Sequence, residues 1–289
     1  MRRRTAGAAD SGDAGECDPW PRTPGGAAMR SVGLITEYNP FHNGHLYHLQ
    51  QSRLQGEADI AVAVMSGHFL QRGEPALLDK WLRARMALAA GVDLLVELPL
   101  PWACNSAPVF ADGAVFSLQQ LQVDAFCFGS ESGSLPDLQR GADWLRAHSV
   151  LIDTESRKLL RQGKTWPQAR SIVAEQLAAD PSILEALRHP NNILGLEYLR
   201  ALCERESSMT PLTIKRIGAG YHEESVVNDL ASATGIRLRV AKGEAVDVFI
   251  PDAVSTILTE ALDAGLTVDP KLLYRLLIYA LQQDEAGLE

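Results

Sequence analysis

The chain has 289 residues, of which 46% are hydrophobic and 22% charged, a composition that indicates a globular protein and excludes disorder over the whole length. Its formal net charge of −9 argues against a surface that binds nucleic acid everywhere, but it is compatible with a local basic patch. No uncharged apolar stretch reaches the roughly 18 residues that a membrane-spanning helix needs. We therefore expect no membrane partner.

Residues 1–28 are rich in Arg, Gly, Ala, Asp and Pro and show no apolar periodicity, which predicts a disordered N-terminal extension. Met29, directly before the first strand pattern, is a candidate for the true start. The cysteines are far apart, with neither zinc-binding spacing nor a dense disulfide pattern; they are Cys17, Cys104, Cys127 and Cys203. This usage favours the reducing cytoplasm.

From residue 31 onward the sequence alternates strand patterns with amphipathic helix patterns. Such alternation is typical of an α/β fold, here a Rossmann-like parallel sheet with helices on both faces. We therefore assign residues 29–150 to the first part of an α/β domain. The strands are predicted at residues 31–36, 59–67, 93–100 and 124–131.

Helix patterns dominate after residue 135, which predicts a helical insertion over residues 151–210. A strand at residues 212–218 would return the chain to the sheet, so that residues 211–250 complete the α/β domain. Residues 251–289 are predicted to form C-terminal helices. The helices before the last strand are predicted at residues 135–148, 155–162, 166–177 and 194–206.

The loop between the first strand and its helix contains the pattern H-x-G-H, with His42, Gly44 and His45. Ligands bind at the carboxyl ends of parallel strands, where helix N-termini favour anions. Gly44 permits a phosphate to approach closely, and the two histidines could donate hydrogen bonds to oxygens that gain charge when phosphorus is attacked. An isolated histidine pair is more often a capping or packing pair, but its position after an apolar strand favours a phosphate loop. A zinc site lacks a third ligand of suitable spacing.

A second pattern, Ser-x-Thr-x-x-Arg, is formed by Ser232, Thr234 and Arg237. The first two residues would cap a helix and donate to phosphates, and Arg237, one turn further on, would neutralise the phosphates. Ser232 alone could be an ordinary helix cap. Together with the histidine loop, however, the pattern favours nucleotide chemistry.

These two patterns are signatures of the nucleotidyltransferase superfamily, which the chain resembles. Within it, longer segments resemble the tRNA(Met) cytidine acetate ligases. In the segment SGHFLQRGEPALLDKWLRARMAL, His68 stands where the family pattern leads us to expect Asn. We expect the chains of that family to continue beyond residue 289, with the additional part helping to cover the site or to hold tRNA. The segments, in the order of the family, are GLITEYNPFHNGHLYHL, SGHFLQRGEPALLDKWLRARMAL, VELP, FGSE, NNILGLEYL, IKRIGAGYH and SATGIR.

The resemblance implies that acetate attacks the α-phosphorus of ATP to form acetyl-adenylate, and that the acetyl group passes to N4 of the wobble cytidine of elongator tRNA(Met). Mg²⁺ normally accompanies the phosphates of ATP. His42, His45 and Arg237 would be catalytic. By the same resemblance the ATP-binding residues would be Ile35, Thr36, Glu37, Tyr38, Asn39, Pro40, Phe41, His42, Asn43, Gly44, His45, Leu46, Tyr47, His48, Gly129, Asn191, Asn192, Arg216, Ser232 and Thr234.

Some of these residues have other interpretations. Gly129 could be a turn glycine, and Asn191–Asn192 could be a helix N-cap after Pro190. Strand alternation favours Arg216 over its neighbour Lys215 as an inward phosphate ligand. The loop with Gln71, Arg72 and Glu74 is either a solvated turn or a wall of the acceptor site.

Two other functions stay open. An adenylyltransferase that makes a small nucleotide cofactor is disfavoured by the length of this chain and by the helical insertion. A nucleotide-binding protein without catalysis is disfavoured because His42 and His45 are both intact.

Overall fold

The structure is a computed structural model that describes residues 29–177, 180–216 and 231–283, without the side chain of Pro167. The predicted N-terminal extension and the last two residues of the strand predicted at 212–218 lie outside these ranges. Among the helices it describes, none is both long and apolar enough to cross a bilayer.

The described strands form one parallel sheet in the order β3-β2-β1-β4-β5, which confirms the predicted α/β fold. The strand order reverses between β1 and β4, and a crevice at the carboxyl ends of these two strands is the usual ligand site of such sheets. The strands are β1 (Ser31–Thr36), β2 (Ile60–Ser66), β3 (Leu94–Leu98), β4 (Ala125–Ser130) and β5 (Thr210–Lys215).

Helices cover both faces of the sheet. The early helices are α1 (Asn43–Gly56), α2 (Lys80–Ala89), α3 (Leu100–Ala103) and α4 (Ala107–Gln120). The segment between β4 and β5 contains α5 (Leu135–Ala147), α6 (Ser149–Leu160), α7 (Trp166–Gln176), α8 (Pro181–Ala186) and α9 (Pro190–Glu204). After β5 follow α10 (Ala233–Ala241), a short 3₁₀ helix (Asp247–Phe249), α11 (Asp252–Asp263) and α12 (Pro270–Gln283).

Two hydrophobic cores lie on opposite faces of the sheet, and the alternation along β2 shows how they are divided. Val62 and Val64 point into the core under α4 and α9, whereas Ala61, Ala63 and Met65 point into the core under α1, α2 and α11. Both sets are buried, because successive side chains of a strand face opposite sides and both sides are covered. The continuous apolar pattern of this strand follows from that double burial.

Three predicted elements differ from the structure by three or more residues at one end. Helix α6 begins at Ser149 instead of residue 155, since Ile152 and Ser156 are both buried one turn apart. Helix α9 begins at Pro190 instead of residue 194, because proline fits the first turn, where no donor is needed. Strand β5 ends at Lys215, so the placement of Arg216 within the strand was wrong. The short helices α3 and α8 were not predicted.

Candidate active site

The loop from β1 to α1 lies at the carboxyl edge of the sheet, beside the crevice. His42 is the N-cap of α1, and its Nδ1 accepts a hydrogen bond of 3.0 Å from the backbone N–H of Gly44. A neutral ring that accepts at Nδ1 carries its hydrogen on Nε2. The local fold therefore leaves Nε2–H of His42 as the donor for a ligand at the start of the helix, where an anion is favoured.

The loop packs its aromatic rings against one another. The rings of His42 and His45 are stacked, with centroids 3.8 Å apart. Tyr38 and Phe41 are both fully buried, and their ring centroids lie 5.0 and 5.6 Å from that of His45. This packing fixes the orientation of the His45 ring.

The histidines of the loop are held in their neutral form. Burial, followed by the positive charge of Arg216, lowers the pKa of His42 to about 4 and that of His48 to about 4. Burial, followed by His42, Arg216 and His48, lowers the pKa of His45 well below its ordinary value. Nδ1 of His45 and Nε2 of His48 are buried without a hydrogen-bond partner in the described structure. Near neutral pH the loop thus offers neutral hydrogen-bonding groups and not cations.

Backbone and side-chain bonds tie this loop to the chain segment after β2. The Oδ1 atom of Asn39 accepts a bond of 2.7 Å from the backbone N–H of Leu77. A carboxylate oxygen of Glu37 accepts a bond of 2.9 Å from the backbone N–H of Gln71, and burial raises the pKa of Glu37. Gln71 therefore lies beside the histidine loop, while Arg72 is exposed.

The second pattern reaches the same loop from α10. The hydroxyl of Ser232, the N-cap of this helix, accepts a bond of 3.1 Å from the backbone N–H of Gly235. Arg237 donates to the backbone carbonyl of Asn39 at 3.0 Å and to the hydroxyl of Thr234 at 3.2 Å. Its guanidinium also lies 3.8 Å from the carboxylate of Glu74. The hydroxyls of Ser232 and Thr234 are thus engaged within the helix, and Arg237 is the residue of this pattern that joins the two parts of the site.

The end of β4 forms the other side of the crevice. A Cβ atom at Gly129 would lie 3.1 Å from Cγ of Arg216, so the missing side chain lets this arginine cross the strand closely. Arg216 is exposed, and its backbone N–H donates to the carbonyl of Ser130 at 2.8 Å. Its positive charge contributes to the lowered pKa of all three histidines of the loop. Arg216 is therefore the cation on this side of the crevice.

Asn191 and Asn192 lie in the first turn of α9 and not at its N-cap, which is His189. Oδ1 of Asn192 accepts bonds from the backbone N–H groups of Glu131 (2.9 Å) and Ser132 (3.1 Å). In return the Glu131 carboxylate accepts from the backbone N–H of Asn192 at 2.8 Å and from the Asn191 side chain at 2.6 Å. The two asparagines thus join the start of α9 to the segment that follows β4.

Other residues of the predicted ATP set contact the strand, the cores or the neighbouring chain. Thr36 is buried at the end of β1, and Ile35, Leu46 and Tyr47 pack against the two cores. Asn43 donates to the backbone carbonyl of Val248 at 3.0 Å. The peptide bond between Asn39 and Pro40 is cis.

Arg83, which is not among the residues predicted for the site, is fully buried beneath the loop. Its guanidinium donates to the carbonyls of Leu78 (3.2 Å), Glu37 (2.5 Å) and Ser66 (3.1 Å), and also to that of Gly67. It therefore holds together the chain segments that leave β1 and β2. The available signal was its spacing from Met86 and Ala87, since residues three and four positions apart share a helix face.

The site as a whole combines neutral donors at a helix N-terminus with two flanking arginines. Such an arrangement can hold the phosphates of a nucleotide and stabilise charge that develops at phosphorus. In the described part of the chain, no group of three or more His, Cys, Asp or Glu side chains could hold a metal ion by itself.

Comparison with known proteins agrees with this geometry. The family HIGH Nucleotidyl Transferase matches residues 29–289. The tRNA(Met) cytidine acetate ligase of Syntrophotalea carbinolica is 55% identical over 272 residues, covering 90% of this chain and 65% of that protein. The one from Halalkalibacterium halodurans is 42% identical over 277 residues, covering 90% of this chain and 66% of that protein. The chain thus spans slightly less than two thirds of these relatives' lengths.

A solved structure shares the fold. Thermotoga maritima TmcAL, bound with alpha-thio ATP, is 36% identical, with a TM-score of 0.73 over 83% of this chain and 57% of that chain. The apo form of the same protein gives an equal TM-score of 0.73. The fold of this chain is therefore similar to one that is known with a nucleotide analogue in another protein.

Proposed function

Because this chain belongs to the family of HIGH nucleotidyltransferases, we propose that it activates acetate with ATP and transfers the acetyl group to N4 of the wobble cytidine of elongator tRNA(Met). The observation that carries the proposal is the neutral histidine pair at the N-terminus of α1, joined through Asn39 to Arg237. The names of the relatives, at up to 55% identity, support the choice of acetate and of this tRNA.

The first step needs positioning and charge stabilisation more than a protein nucleophile. A carboxylate oxygen of acetate attacks the α-phosphorus of ATP, a P–O bond forms, and pyrophosphate leaves with the bonding electrons. His42 would donate through Nε2 to a phosphate oxygen, since its Nδ1 is occupied by Gly44. Arg237 and Arg216 would neutralise the charge of the triphosphate.

In the second step the exocyclic amine of the cytidine attacks the acetyl carbonyl of acetyl-adenylate. The N4–C bond forms, AMP leaves, and the amine loses one proton. The loop of Gln71, Arg72 and Glu74 would face the acceptor. Its Gln71 donates a backbone hydrogen bond to Glu37 of the histidine loop, and its Glu74 lies next to Arg237. Mg²⁺ would arrive with ATP. We propose that the reaction takes place in the cytoplasm, because the free thiols would stay reduced there; these are Cys104, Cys127 and Cys203.

The test is pyrophosphate release from ATP with and without acetate, followed by mass analysis of unmodified elongator tRNA(Met) added to the reaction. Acetate-dependent release together with N4-acetylcytidine is the expected result. Release without the modified base would limit the function of this chain to acetate activation. Release that is independent of acetate would favour the adenylyltransferase that makes a small nucleotide cofactor.

A further inference from the structure

The helical segment between β4 and β5 contains a cleft that the candidate active site does not use. It has a volume of about 420 Å³ and lies between α6, α7 and α9, with Pro108 of α4 at its margin. Pro108 is the second residue of α4, a helix that begins on the carboxyl side of β3. One margin of the cleft therefore lies on the same edge of the sheet as the histidine loop.

The base of the cleft contains a network of two arginines and two glutamates, whose formal charges cancel. Arg170 and Glu197 form an ion pair of 2.7 Å with side chains only 8% and 2% exposed. The same carboxylate also binds Arg200 at 3.0 Å, so two guanidinium groups share it. Arg200 reaches Glu204 at 3.2 Å, yet its Nε is buried without a hydrogen-bond partner within the described residues.

The uncompensated positive charge of the cleft lies on its rim, along α6. A second depression of about 480 Å³ shares Asp153 and Arg157 with the cleft and adds Lys158 and Arg161. Lys158 is paired with Glu155 at 2.7 Å. Arg157 and Arg161 are exposed, one helical turn apart, and form no ion pair with any residue that the structure describes. Residues 149–164 contain four Lys or Arg against two Asp or Glu in a chain whose net charge is −9.

We propose that this cleft binds the phosphodiester backbone of an RNA strand, an inference that rests on the proposed RNA acceptor. The cleft and the second depression together form a trough along α6. Because this trough includes the exposed Arg157 and Arg161, it suits a polymer with repeated charges better than a single small anion. Trp166 lines the cleft beside Arg170, so a base could stack next to the bound phosphates. Arg157 and Arg161 would be the exposed phosphate ligands, and Asp153 is the acidic group that limits the positive charge of the trough.

The test compares R157A/R161A with the unchanged 289-residue chain in binding labelled, unmodified elongator tRNA(Met) over a series of salt concentrations. We expect about tenfold weaker binding and a salt dependence with a slope smaller by about 2, since each lost phosphate contact removes nearly one released counterion. The control R140A/R188A removes the same charge from the same helical segment, where the arginines pair with Asp137 and Glu185. The control should bind like the unchanged chain.

The outcome separates this inference from the proposed function. Equal affinity and slope for R157A/R161A and the unchanged chain would overturn the RNA site, as would failure of the unchanged chain to bind tRNA. Tighter binding of poly-glutamate than of tRNA would assign the trough to an acidic protein and also overturn it. Acetate-dependent pyrophosphate exchange should be the same in all three proteins. Its absence would remove the proposed function, while a reduced salt slope of R157A/R161A would still support the RNA site.

Discussion

Arg237 donates a hydrogen bond of 3.0 Å to the backbone carbonyl of Asn39, across 198 positions of sequence. Asn39 in turn accepts from Leu77 through its side chain. The two motifs are therefore parts of one structure, in which α10 holds the loop that carries the histidines. A cation at this point has two effects, because it positions the loop and adds positive charge to the crevice.

Substitution of Arg237 by alanine should weaken ATP binding by roughly 10- to 100-fold, the equivalent of about 1.5–3 kcal/mol for a lost charge-assisted bond. Titration calorimetry with ATP measures this change directly. Arg239→Ala is the matched control, because Arg239 lies on the same helix but pairs with the exposed Glu244 at 3.2 Å. Equal ATP affinity of Arg237→Ala and the unchanged chain would remove Arg237 from the site.

Substitution of His45 by alanine should reduce acetate-dependent pyrophosphate release by about 10²- to 10³-fold, the usual cost of one lost donor to a developing charge. The fold should persist, because Tyr38 and Phe41 still pack against each other with centroids 4.7 Å apart. His148→Ala is the control, since this ring stacks on Trp144 in the helical segment. Pyrophosphate release at the unchanged rate in His45→Ala would contradict the catalytic role.

The elements that could be predicted from the sequence are those whose signal is local. The apolar run of β2 and the glycine within H-x-G-H indicate a strand and a phosphate loop without knowledge of distant residues. The partnership of Glu131 with Asn192 spans 61 positions, and no local pattern shows that an acidic side chain after β4 would bond the start of α9. That is why the choice between an ATP ligand and a helix end was left open.

Arg83 shows a different limit of sequence analysis. An arginine on a helix usually indicates an exposed face, so its spacing from Met86 and Ala87 did not outweigh its charge. In the structure the backbone carbonyls at the ends of β1 and β2 supply acceptors for the guanidinium, which makes its burial tolerable. Such acceptors become visible only once the strands are paired.

Replacing Arg83 by methionine should destabilise the protein by about 3 kcal/mol or more, because several buried carbonyls lose their donor. Urea unfolding measures the change in the free energy of unfolding. Arg85→Met on the same helix is the control, because Arg85 is exposed. Arg83→Lys should give an intermediate loss, since lysine keeps the charge but cannot reach the separate carbonyls in a fork. Coincident unfolding curves for Arg83→Met and Arg85→Met would contradict this role.

The histidine loop should make the protein less stable as the pH falls below the ordinary histidine range. The folded pKa values of His42 and His48 are about 4, whereas histidines in the unfolded chain titrate near 6.5. Between these values the unfolded chain binds more protons, so the free energy of unfolding should decrease by at most about 1.4 kcal/mol per pH unit for each histidine. Urea unfolding at several pH values across this window measures the slope.

Removing one histidine identifies the source of this slope. His48→Gln should flatten it by one histidine's share, while His189→Gln, an exposed residue that contacts Glu185, should leave it nearly unchanged. Glu37 acts in the opposite direction, because burial raises its pKa and the folded protein then takes up the proton first. Protonation of His42 in the folded protein also removes the acceptor for the Gly44 N–H, so the helix cap should be lost as the pH falls through about 4. A slope that is identical in His48→Gln and the unchanged chain would show that other groups cause the acid sensitivity.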